Sequence, residues 1–120
     1  MAVFYTTVGK EKVVDRVDGT QAGSNTDYIA QGTGAGAASV ASTTLSTEAS
    51  EARVSGTKSQ PAVDKNRWVA TIVANGTKTI TNAGVFDAST VGNLLVIVDG
   101  LSIAVVANDS IQFTFDLQQT

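Results

Sequence analysis

At 120 residues the chain is the size of one domain, and its 42% apolar content excludes wholesale disorder. A net charge of −3 with a pI of about 4.6 excludes the basic surface of a nucleic-acid binder. Cysteine and histidine are absent, which excludes disulfides, thiolate catalysis, cysteine zinc sites and the commonest general base.

Ala2 to Val8 reads as a first strand or extended arm, with Phe4 and Tyr5 as its bulk, and Gly9-Lys10 breaks it. Met1 to Lys12 lacks the basic n-region and apolar core of a secretory signal, so the expected compartment is the cytoplasm in which the chain is made. Lys12 to Val17 is predicted as a second strand, with Val13 and Val17 on one parity and Asp18-Gly19 as the turn that ends it. Residues 1–26 are thus expected as an N-terminal arm or first hairpin of a single β-domain covering 1–120. Gln21 to Asn25 is loop, and Tyr28-Ile29-Ala30 opens a short strand running into Gly32-Thr33-Gly34.

Gly34 to Thr47 is nearly all Gly, Ala, Ser and Thr. A flexible linker and a tight ordered crossover both fit this composition; Val40 and Leu45, as apolar anchors, favour a crossover over 34–47. One helical turn near Thr47 to Ala52 is expected, capped by Ser46 or Thr47. Arg53 to Ser59 is a strand that Pro61 ends, and Asp64-Lys65-Asn66 is a polar turn. Arg67 to Ala74 and Thr77 to Thr81 flank Asn75-Gly76, the strongest local hairpin signal in the chain. Asn82-Ala83-Gly84 leads into Val85-Phe86-Asp87. Asn93 to Asp99, Leu101 to Val106 and Ser110 to Gln118 follow, separated by turns at Asp99-Gly100 and Asn108-Asp109.

In the last segment Ile111, Phe113, Phe115 and Leu117 share one parity, and Gln112, Thr114, Asp116 and Gln118 share the other. Strand side chains alternate between faces, so this segment has an apolar and a wet side. Eight or nine short strands with regular turns predict an all-β fold, an antiparallel β-sandwich or jelly-roll-like domain. The most apolar stretch, Leu94 to Ala107, is split by Asp99-Gly100 and too short to span a bilayer, so no membrane partner is expected.

Candidate chemistry is sparse. Gly32-Thr33-Gly34-Ala35-Gly36 follows a strand, as a phosphate-binding loop does. Position 37 is Ala where a dinucleotide fingerprint needs its third glycine, and no P-loop lysine follows. Asp15 with Asp18, and Asp64 with Asp87 or Asp109, offer carboxylates, but none has the short fixed spacing of a calcium loop; each fits a turn cap. No catalytic residue, cofactor or metal site is therefore assigned. Trp68 begins a strand whose same-parity neighbours are Ala70 and Ile72 and is expected in the core. Glu48, Glu51 and Arg53 suggest a surface ion pair. Phe4 and Tyr5 on the arm, with Tyr28, are the candidate partner-interface residues, because apolar bulk on a terminal arm must dock somewhere.

The order of segments carries a resemblance. Tyr28-Ile29-Ala30-Gln31-Gly32-Thr33-Gly34 is a strand ending in Gly-Thr-Gly; Leu45-Ser46-Thr47-Glu48 and Arg53-Val54 follow the small-residue stretch. Ile80-Thr81-Asn82-Ala83-Gly84-Val85-Phe86-Asp87-Ala88, then Gly92-Asn93-Leu94-Leu95, then Asp109-Ser110-Ile111-Gln112-Phe113 complete the pattern. From Tyr28 to Leu117 this resembles small β-sandwich virion structural proteins of tailed bacteriophages, a group that includes capsid decoration and tail-associated proteins. Asn82 stands where the pattern usually has an acid, and Asn108 where it usually has Gly.

The resemblance implies a non-enzymatic virion component, assembled in the host cytoplasm, that contacts the major capsid protein or other virion subunits. It also implies self-association as a homo-oligomer, with a trimer as one arrangement. A charged content of only 16%, against about 25% in ordinary soluble proteins, suits a part that packs against neighbours. Capsid decoration or cement is the leading expectation; a tail, collar or fibre component, with glycan binding as its role, is the alternative.

Overall fold

The computed structural model describes residues 1–19 and 27–119. The loop expected over Gln21 to Asn25 lies outside them. Ten strands and one helix are described: β1 (Ala2–Tyr5), α1 (Thr7–Asp18), β2 (Tyr28–Gly32), β3 (Val54–Ser55), β4 (Thr57–Ala62), β5 (Lys65–Val73), β6 (Lys78–Ile80), β7 (Asn82–Phe86), β8 (Leu94–Asp99), β9 (Ile103–Val105) and β10 (Ser110–Gln118). A five-stranded sheet in the order β1-β8-β7-β2-β3 faces a three-stranded sheet in the order β10-β5-β4, and every pairing is antiparallel. The all-β sandwich expectation holds.

The C-terminal half explains how two sheets arise from one strand pair. β5 pairs β10 with Val73 opposite Ser110, and β6 pairs β9 with Lys78 opposite Val105. The register is the same on both sides of the gap, and backbone bonds Ala74 N–H to Asp109 C=O and Asn108 N–H to Ala74 C=O bridge it. After a two-residue offset at Gly100, β7 pairs β8, ending at Phe86 opposite Leu94. Residues 65–86 and 94–118 are therefore one long hairpin whose tip is the loop 87–93. Its base, β5 and β10, lies in the three-stranded sheet, and its tip half, β7 and β8, in the five-stranded one.

This corrects three expectations. Asn75-Gly76 is not a hairpin turn: neither residue has positive φ, as a type I′ turn requires, and the chain runs on to β6. Asp99-Gly100 and Asn108-Asp109 do not reverse a local pair either; Gly100 (φ 75°) and Asn108 (φ 74°) bend the ribbon from one sheet to the other.

Three more expectations change. Lys12 to Val17 belongs to helix α1, not to a strand. The Thr6 hydroxyl accepts the Gly9 N–H at 2.9 Å as an N-cap, and Gly19 ends the helix in the left-handed region. No helical turn forms at 47–52; Glu48 instead bridges Gly32 as an isolated strand contact. Pro61 lies inside β4, which an edge strand tolerates because one side of its backbone needs no partner. The tight hairpin of this half joins β4 to β5 through Val63-Asp64.

Between the sheets lies the main core, including Trp68, Ile72, Ile80, Val85, Val96 and Phe113. Trp68 is buried, as its parity predicts. The outer face of the five-stranded sheet is buried too: Ala30, Leu45, Phe86, Leu94 and Ile97 form a second cluster. What covers it is the small-residue segment after β2, which inserts Leu45.

Candidate functional site

Segments around Gly34, Leu45, Asn82 and Leu94 meet on this outer face. Gly34 N–H donates to Ser46 C=O at 2.9 Å, and Thr33 N–H to Thr47 C=O at 2.9 Å, so the segment folds back along β2. A β-carbon on Gly34 would stand 2.7 Å from the Ser46 carbonyl, closer than real contacts allow; Gly is required by proximity. Asn82, 1% exposed, completes the seam: its side-chain oxygen accepts the Ser46 N–H at 3.2 Å and its amide donates to the Ser46 C=O at 3.1 Å. One side-chain amide thus does for Ser46 what a neighbouring strand residue would do. A carboxylate here could accept but not donate, so only the amide serves both sides of the Ser46 backbone.

The hairpin tip is held by charge. Asp87 accepts from the Asn93 backbone N–H at 2.6 Å, the Asn93 side chain at 3.0 Å and the Lys12 ammonium at 2.9 Å. Burial pushes the Asp87 carboxyl up, but the Asn93 and Lys12 bonds outweigh it and hold it below the ordinary aspartate range. The Lys12 link ties α1 to the tip. Arg53, with its side chain 6% exposed, makes a two-pronged pair with Glu48 at 2.9 Å on each arm. It also donates to the carbonyls of Ala88 (2.9 Å) and Val91 (2.7 Å) and lies 3.6 Å over the Phe86 ring. Val91 takes φ 56°, uncommon for a β-branched residue.

The expected surface pair forms between Arg53 and Glu48, whose carboxylate is exposed, while Glu51 enters a separate, buried pair. Glu51 turns away from Arg53 and accepts from Lys78, from the Asn75 backbone N–H at 3.0 Å and from Gln31 at 3.0 Å. Burial raises its pKa, yet the Lys78, Asn75 and Gln31 bonds win and bring it to about 2.

The other aspartates named from sequence do not gather. Asp64 accepts from Gln118 at the β4–β5 turn, and Asp109 accepts the Val106 N–H at the β9–β10 bend. Asp15 and Asp18 lie on α1. Among the described residues no group of three or more acidic, cysteine or histidine side chains is placed to hold a metal ion. No helix among them is long and apolar enough to cross a membrane.

The candidate interface residues divide between layers. Phe4 and Tyr28 are half-buried and pack on the outer cluster with Leu45 and Phe86. Tyr5, one residue on, faces the main core, with Lys10 over its ring at 5.6 Å. The arm docks within its own chain through β1 and β8. Sequence reading missed the outer edge of β10, which no second strand pairs among the described residues, although that strand's alternation, with neither Pro nor Lys, is visible in the sequence. No known protein family, curated protein or solved structure matches this chain.

Proposed function

We propose that this chain is a structural subunit of a tailed-bacteriophage virion, a non-enzymatic capsid decoration or cement protein that stabilises the shell by covering surface. One observation carries the reading. Most of the motifs shared with the phage group — Gly-Thr-Gly, Leu-Ser-Thr-Glu, Arg53, Ile80 to Ala88 and Gly92 to Leu95 — lock the crossover and hairpin tip onto the outer sheet face. Those residues act as framework, which is what a part that works by its shape requires. Glu48, Glu51, Asp87 and Asp116 are each neutralised by a base of the same chain, and the exposed residues around them include many hydroxyls and amides, which suits contact with neighbouring subunits. The partners are then the major capsid protein or other virion subunits, over about 1,000 Å² or more per contact.

Imaging of particles and counting of copies test this. A copy number on the scale of the shell lattice, with greater heat resistance of decorated than of undecorated particles, is the expected result. A complement that fills only one ring places the chain in the collar or tail, and equal heat resistance removes the cement role.

A further inference from the structure

We propose that the outer edge of β10 pairs antiparallel with β10 of a second copy, across a two-fold axis at Thr114, joining two three-stranded sheets into one of six. The sheet that contains β10 has two edges, and they are built differently. β4 carries Lys58, Pro61 and a break in register between Ser59 and Ala62, the features that keep an edge strand from recruiting another. β10 has none of them. It runs nine residues in unbroken register against β5, contains no Pro or Lys, and its one charge, Asp116, is already held by Arg67 at 2.7 and 2.9 Å. No second strand pairs its outer side among the described residues.

The occupant follows from the order of residues. Ser110-Ile111-Gln112-Phe113-Thr114-Phe115-Asp116-Leu117-Gln118 reads as a palindrome of polar and apolar residues about Thr114. Antiparallel pairing with itself sets Phe113 against Phe115 of the second copy and Ile111 against Leu117, all on the core side. On the solvent side Thr114 faces its own counterpart, and Gln112 can donate its amide to Asp116. Alternation is common to half-buried strands, but a second copy adds equal length, aromatic against aromatic at 113 and 115, and the lone Asp116 opposite Gln112 rather than opposite a like charge. Beside this edge an apolar cleft of about 290 Å³ opens between the sheets, lined by Val98, Leu101, Ile103, Ile111 and Phe113. Met1 and Val3, 85% and 57% exposed, stand at its rim, apolar bulk that a second copy would cover.

Sedimentation equilibrium of the full chain over a range of concentrations tests the pairing, with a reversible dimer expected. Thr114→Lys sets like charges face to face at an exposed position; it is expected to weaken the dimer about tenfold or more while circular dichroism stays unchanged. In a chain without cysteine, Thr114→Cys is expected to give a disulfide-linked dimer on mild oxidation, and Ser59→Cys, on the opposite edge strand β4, a monomer. A chain monomeric at every concentration, or a dimer indifferent to Thr114→Lys, overturns the proposal. So does cross-linking of Thr114→Cys to a different subunit in particles while the free chain stays monomeric. None of these outcomes bears on whether the chain is found on the shell, which the copy count decides.

Discussion

At single positions the structure is governed by close approach and by donor–acceptor matching. Gly9 lies within α1, where alanine would ordinarily add about 1 kcal/mol of helix stability. A β-carbon there would stand 2.8 Å from the Leu95 Cα, backbone that cannot move aside. Overpacking of this kind costs about 1–3 kcal/mol, so Gly9→Ala is expected to lower the urea midpoint despite its propensity; a raised midpoint would contradict the contact. Asn82→Asp tests the seam with Ser46. It removes the donor to the Ser46 carbonyl and buries a carboxylate against it, a loss of about 1–3 kcal/mol at neutral pH. A protonated acid regains a donor, so the stability gap to the parent chain is expected to narrow as the solution is acidified. A gap independent of pH would show that the amide's donation is unimportant.

Among the elements, the loop 87–93 is held by Asp87 at its ends and by Arg53 along its backbone. The Arg53 guanidinium reaches Glu48 and two loop carbonyls at once, which an ammonium cannot do. Arg53→Lys is therefore expected to speed amide hydrogen exchange in 87–93 while exchange in β5 and β10 is unchanged; uniform acceleration would mean a global loss instead. Strand existence was legible in the sequence, because parity in 110–118 and around Trp68 records burial directly. Strand partnership was not. Asn75-Gly76, Asp99-Gly100 and Asn108-Asp109 mark places where backbone departs from extended geometry, and a bend between sheets uses the same residues as a reversal. The helix was hidden by arithmetic: Val13 and Val17 are four apart, a spacing that serves both a strand and a helix. Thr6 as cap and Gly19 as terminator were the discriminating signals. The Arg53–Glu48 pair, five residues apart, was legible. The rest of the framework was not, since Ser46 reaches Asn82, Ala88 and Val91 reach Arg53, and Lys78, Asn75 and Gln31 reach Glu51 from 20 or more residues away.

For the molecule as a whole, buried ion pairs couple stability to pH. Glu51, ordinarily at 4.5, is held at about 2, and Asp87 is held below its ordinary 3.8. A carboxyl whose folded pKa is depressed contributes stability above its unfolded pKa and loses it as pH falls through the folded value. The urea midpoint is thus expected to hold above pH 4.5 and to fall from there toward pH 2. Glu51→Gln is expected to lower the midpoint near neutrality and to flatten that acid limb; an unchanged limb would assign the acid sensitivity elsewhere. The same whole-molecule view gives the long hairpin a mechanical meaning. Because one ribbon supplies strands to both layers, the layers cannot be prised apart while β6 and β9 stay bonded between them. A load tending to open the sandwich meets a continuous covalent strap on that side, so yielding should begin at the short β2–β3 ladder, which the hairpin does not bind in.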